Sequence, residues 1–205
     1  MSVLHGFGMG IATQNSAGET LDVFYPNPLS NIGDELAAVV SGLSGPLDSD
    51  QLAELSKGFS AVGADEQAKL ADQLRTSTGR VVATTLIDNA APASVADAYL
   101  KLHLLSHRKV EPHGTELEGL FGLLPNVAWT DQGAVCLSDL PQRQLDARLK
   151  GAVLEVASVD KFPKMTNYVV PSGVRIAHTA RVRLGAYLGE GTTVMHEGFI
   201  NFNGG

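Results

Sequence analysis

His178 and His196 lie 18 residues apart, and Glu197 follows the second of them in Met195-His196-Glu197-Gly198. Imidazole nitrogens suit Zn²⁺, whereas a carboxylate suits a hard divalent ion such as Mg²⁺. Carboxylates converging on a symmetry axis repel unless they are protonated or bound to a cation. From spacing alone, each of the three residues reads either as a metal ligand or as a polar side chain facing water. Arg175, Arg181 and Arg183 alternate just upstream. They offer bidentate donors for a dicarboxylate or phosphate, or they decorate a solvated face, the reading slightly favoured. His103, His107 and His113 cluster near a helix end without the intervening glutamate of a zinc-protease pattern, so packing or a helix-terminal role is expected. Cys136 sits in an apolar run and reads as a buried small residue. No glycine-rich nucleotide fingerprint, phosphate-cradling loop or nucleophile elbow is present.

The elements that must position these residues follow from a six-residue period. The last 36 residues divide into VPSGVR, IAHTAR, VRLGAY, LGEGTT, VMHEGF and INFNGG. Their first positions, Val170, Ile176, Val182, Leu188, Val194 and Ile200, are all aliphatic, and their fifth positions are mostly small. Such a period fits neither a 3.6-residue helix nor an alternating strand. It fits a three-sided solenoid in which three hexapeptides make one coil and each aliphatic residue points inward onto the residue 18 positions later. His178 and His196 then share one face, one coil apart.

Upstream the period is absent. Residues 9–14 and 21–25 read as a hairpin about Ser16-Ala17-Gly18-Glu19. Asp34–Val40, Asp50–Phe59 and Asp65–Leu74 read as helices, with Gly42, Gly58 and Gly79 as stop signals. Val81–Ile87 reads as a strand and Ser94–Arg108 as a helix. Val127–Trp129, Ala134–Leu137 and Ala152–Ser158 read as further strands. The expected architecture is an α+β N-terminal domain over 1–160, then the start of a left-handed parallel β-helix over 161–205. Two coils without a polar or helical cap would expose strand edges, so the chain is expected to be a truncated form of a longer protein.

Composition narrows the function classes. The 205 residues are 44% hydrophobic and 18% charged, with a net charge of −7, an ordinary globular balance. No Lys/Arg block marks a nucleic-acid or anionic-membrane partner. The single cysteine excludes an internal disulfide. The amino-terminal stretch lacks a signal-peptide pattern, and no apolar run is long enough to span a bilayer. A cytoplasmic location is the expectation.

The segments AYLKLHLLSHR (98–108), LEGLFGLLPNVAWT (117–130), SVDKFPKM (158–165), YVVPSGVRIA (168–177) and RVRLGAYLGEGTTVMHEGFINFN (181–203) resemble the actinobacterial type of tetrahydrodipicolinate N-succinyltransferase. The resemblance is strong from about Val81 onward and weak before it. It implies succinyl transfer from succinyl-CoA to the amine of ring-opened tetrahydrodipicolinate, in lysine and diaminopimelate biosynthesis. It also implies a homotrimer with CoA in grooves between neighbouring β-helices and divalent ions, Mg²⁺ among them, on the threefold axis. The glutamate of the family's M-H-E-G is one such ligand and corresponds to Glu197. A second axial ligand, the later aspartate of G-D-A-D-R, is replaced by Ala180 in Ala177-His178-Thr179-Ala180-Arg181, which puts that site in doubt unless His178 substitutes. The family's catalytic glutamate lies in an E-G-R motif one coil further on, after Gly205. No catalytic residue is therefore assigned, and these 205 residues alone are expected to be inactive. Two other readings stay open: a trimeric hexapeptide metal enzyme of the γ-carbonic-anhydrase type, with zinc on His178 and His196, and a non-catalytic trimerising paralogue.

Overall fold

A computed structural model describes residues 3–205; Met1 and Ser2, at the head of the amino-terminal stretch, lie outside the described residues. The hairpin forms where the turn residues place it. Strand β1 (Leu4–Gln14) pairs antiparallel with β2 (Thr20–Phe24). Strand β3 (Leu29–Ile32) also pairs with β1. Next come α1 (Asp34–Val40), the two-residue strand β4 (Gly45–Pro46), α2 (Ser49–Ala61), α3 (Asp65–Leu74) and β5 (Arg80–Leu86). The sheet runs β2-β1-β5-β4. Asp48 caps α2 in a reciprocal capping box with Gln51, which accounts for the sharp start of that helix. Gly58 does not stop α2 as expected. It sits inside the helix, where an added Cβ would lie 3.0 Å from Val39 Cγ1, so its smallness serves the α1–α2 approach. Gly63, at φ +72°, follows the helix instead.

The sheet separates two apolar cores because side chains alternate across it. Phe7, Met9, Val81 and Ala83 face Leu52, Phe59, Ala71 and Leu74 of α2 and α3. Val82 and Leu86 face α4 (Val95–Ser106). That second face is made shallow by glycine. A Cβ on Gly8 would lie 2.6 Å from Tyr25 Cδ1 and 2.9 Å from Leu100 Cδ1. A Cβ on Gly10 would lie 2.3 Å from the Phe24 carbonyl oxygen. Only glycine lets α4 and Tyr25 sit this close to the strand. Helix α4, capped by Ser94 and Asp97, is buried along Ala98–Ser106 rather than on one stripe.

After the short α5 (Leu120–Leu123), β6 (Val127–Thr130) and β7 (Gly133–Cys136) form a second sheet with β8, in the order β7-β6-β8. Strand β8 runs Val156–Asp160, later than the expected 152–158. Between β7 and β8 lies α6 (Leu140–Leu149), unforeseen in the sequence, with no buried residue.

From Gly173 the backbone repeats with a constant offset. Strands β9 (Arg175–Ile176) and β10 (Thr193–Val194) pair in parallel, Arg175 with Thr193 and Ile176 with Val194. Val182 bridges Ile200 in parallel. Hydrogen bonds from Gly191 N to Gly173 O (2.8 Å) and from Tyr187 N to Gly204 O (2.9 Å) join matching points on other sides. All three strand and bridge pairs are separated by 18 residues. Val182, Leu188 and Val194 are buried, and Ile176 and Ile200 pack against the same core. Val170 is the exception: it is 66% exposed, so the inward stack begins one hexapeptide later than the sequence period.

Helix α4 fixes the first coil. Ser106 Oγ donates to Ala186 O (3.0 Å) and accepts from Gly185 N (2.8 Å). Arg108 donates to Leu188 O (2.6 Å) and Ser172 O (2.8 Å). Val182, Leu184, Ala186 and Leu188 share one core with Leu100, Leu102 and Leu104.

Candidate functional site

The 18-residue offset sets His178 and His196 at equivalent register positions on successive coils, both exposed. Glu197 follows His196 in the chain, with its side chain 90% exposed. Its contact in the protomer is a long one, to Arg181 Nη2 at 3.4 Å. Met195 and Phe199 flank it and are 65% and 54% exposed. Among the described residues no group of three His, Cys, Asp or Glu side chains could hold a metal within one protomer. A cation at Glu197 therefore requires donors from outside this chain, or water.

Arg183 departs from the solvated face expected for it. Its Nη2 pairs with Asp160 at 2.8 Å and its Nη1 donates to Asn201 Oδ1 at 3.1 Å. Its guanidinium lies 5.0 Å from the centre of the Phe162 ring and 5.6 Å from that of Phe199, within cation–π range. Phe162 in turn stacks on Phe202 at 4.6 Å. Asp160, Phe162, Arg183 and Phe199 line a cleft of about 340 Å³ between the end of β8 and the coil. The alternating arginines were visible in sequence, but the aromatic bed beneath Arg183 required the fold.

The histidine cluster near α4 resolves into packing, as expected. His103 is fully buried, its Nε2 accepts from Tyr25 N at 3.2 Å, and its Nδ1 sits 2.7 Å from Tyr99 O. An accepting Nε2 requires that Nδ1 carry the proton, so the neutral tautomer is fixed. Burial pushes the His103 pKa down to about 3. His107 stacks on it at 5.9 Å, and His113 belongs to a separate contact, its N–H donating to Asn203 Oδ1 at 2.7 Å. Cys136 is only half-buried, contrary to expectation, with its Sγ 3.2 Å from Ser138 Oγ.

Two buried polar contacts had no sequence signal. Tyr168 donates to the Asp22 carboxylate across 146 residues, and burial holds that carboxyl above its ordinary range. Lys101 is buried and donates to Asn89 Oδ1 (3.1 Å) and Thr115 Oγ1 (3.2 Å), and burial lowers its pKa.

Models of two parts of one family match the chain: the N-terminal part of tetrahydrodipicolinate N-succinyltransferase over residues 61–122 and its middle part over 124–164. The chain belongs to the tetrahydrodipicolinate N-succinyltransferase family. A Pseudomonas putida relative named 2,3,4,5-tetrahydropyridine-2,6-dicarboxylate N-succinyltransferase is 55% identical, covering 100% of this chain and 61% of its own length. A relative of the same name from Salinispora tropica is 46% identical over 97% of this chain and 58% of its own. The family likeness thus extends through residues 1–80, where the motifs had suggested it was weak, and it is not confined to the actinobacterial type. A solved Campylobacter jejuni structure described as a 2,3,4,5-tetrahydropyridine-2-carboxylate N-succinyltransferase shares the fold at a TM-score of 0.83. It is 23% identical, covering 99% of this chain and 60% of that one. The chain spans about three fifths of the length of these relatives.

Proposed function

We propose that this chain provides the N-terminal domain, 1–160, and the opening left-handed β-helical coils, 161–205, of an enzyme that transfers succinyl from succinyl-CoA to tetrahydrodipicolinate. The single observation that carries the reading is 55% identity, over the whole chain, to a relative bearing that activity in its name. The constant 18-residue parallel offset supports the β-helix, since stacked three-sided coils of hexapeptides repeat at that interval.

In the proposed reaction the substrate amine attacks the thioester carbonyl. The C–N bond forms as the C–S bond breaks. The proton lost from nitrogen passes through a carboxylate base to the departing CoA thiolate. None of residues 1–205 is assigned as that base. The present residues hold the first coil against α4 through Ser106 and Arg108, and so fix the wall on which later coils stack.

Glu197 is proposed to face its counterparts on the axis of a homotrimer and, with them, to hold a Mg²⁺ ion. Its exposure and weak internal pairing fit a ligand shared between protomers, and exposed Met195 and Phe199 fit an interface around it. When bound, the ion would neutralise the converging carboxylates. Ala180 leaves no carboxylate for a second axial ion. Among the described residues no helix is long and apolar enough to cross a membrane, and a cytoplasmic location is proposed. The γ-carbonic-anhydrase alternative loses ground to the family match. The non-catalytic alternative is tested directly: with the chain at its relatives' full length, tetrahydrodipicolinate is expected to elicit thiol release from succinyl-CoA. A folded full-length trimer without turnover overturns the assignment.

A further inference from the structure

We infer that the cleft beside Arg183 is a binding site for a small dianion, a dicarboxylate or a phosphate. Its ionised lining is unbalanced: Lys164, Arg181 and Arg183 face one carboxylate, Asp160. Lys164 and Arg183 are antiparallel bridge partners, which sets two cations directly opposite each other. Like charges in that relation repel and destabilise the pairing. The Asp160 carboxylate pairs with Arg183 at 2.8 Å and accepts from the Lys161 backbone N–H at 2.7 Å, and among the described residues Lys164 makes no side-chain hydrogen bond or ion pair. Arg181 has only the long contact to Glu197.

The cleft is also built rather than incidental. The backbone on both sides of Lys164 is tied to the coil, Leu184 N to Pro163 O at 3.0 Å and Met165 N to Val182 O at 2.9 Å. Arg183 is held at both terminal nitrogens and lies within cation–π range of two aromatic rings. A guanidinium fixed in this way loses little freedom when an anion arrives. Ser158 adds a hydroxyl to the lining, and Phe162 adds an apolar surface for a short carbon chain. With Asp160 against Arg183 and Glu197 3.4 Å from Arg181, Lys164 is the lining cation left without a carboxylate among the described residues, and an anionic group would supply one. The inference does not depend on the transferase reading, because its test reads binding alone.

Calorimetric titration with succinate and, separately, with inorganic phosphate at low ionic strength tests it, with neutral succinamide as control. Saturable binding of at least one dianion and none of succinamide is expected. Binding of both anions makes the site blind to anion shape, and binding of succinate alone assigns it to dicarboxylates. Lys164→Ala is expected to weaken binding about tenfold, equivalent to about 1.4 kcal/mol, and Lys164→Arg to restore it. Folding of each variant is checked by circular dichroism. No saturable binding by the folded protein, or unchanged affinity in Lys164→Ala, overturns the inference.

Discussion

His103 carries a stability cost that depends on pH. Its folded pKa of about 3 lies below the ordinary value of 6.5. Between those values the unfolded chain binds a proton that the folded chain does not, so stability falls as pH falls through that window. The slope from this one group is about 1.4 kcal/mol per pH unit, with no contribution above 6.5. Urea unfolding at a series of pH values is expected to show it, and His103→Gln is expected to flatten it. The variant costs about 1–3 kcal/mol at pH 7 if Tyr25 N–H loses its acceptor. Asp22 acts in the opposite direction: its raised pKa makes its ionised form a burden that grows as pH rises. Asp22→Asn is expected to unfold at a higher temperature than the parent at pH 8, with the gap closing toward pH 4. An equal gap at both pH values would remove the charge from the explanation. Asp22 could not be found in sequence, because it meets Tyr168 only through the fold; His103 was read there as a packing residue of a histidine cluster, and its bonds to Tyr25 and Tyr99 needed the fold.

At the scale of elements, legibility followed the strength of the periodic signal. Helices α1 and α3 fall where their leading acids placed them. Helix α6 was missed because it has no buried face, with Leu145 51% and Leu149 76% exposed, so no apolar stripe marks it. Strand β8 was placed early because Val153 and Leu154 extend its apolar run, although Val153 is exposed. Strand β1 was read only from residue 9, although it begins at Leu4, and the purpose of the alternation Gly6-Phe7-Gly8-Met9-Gly10 was not legible. Gly10→Ala drives a methyl into the Phe24 carbonyl oxygen. It is expected to destabilise the protein by about 2–4 kcal/mol, within the range for overpacked and strained sites. A thermal midpoint within a degree of the parent's would show that β1 and β2 can separate to accept it.

For the molecule as a whole, the six-residue period of aliphatic positions from Ile176 onward anticipated the parallel pairing at an 18-residue interval, because such a period has few competing explanations. The candidate site was less legible. Glu197 is a candidate by its motif alone, whereas the charged cleft between β8 and the coil joins Asp160 to Arg183, 23 residues on, which only the fold brings together. If Glu197 meets its counterparts across three protomers, Glu197→Gln is expected to abolish stoichiometric Mg²⁺ binding while the assembly is followed by sedimentation. Full Mg²⁺ occupancy in that variant would place the ion elsewhere.

The constant offset of the coils also acts as a ruler for sequence change. Each rung takes its backbone partner from the rung before it, so adding one residue between Arg175 and Thr193 would slip both the pairing and the inward row together. An added complete turn of about 18 residues would preserve both. This stretch should therefore tolerate length change only in whole turns or in corner loops that bulge outward.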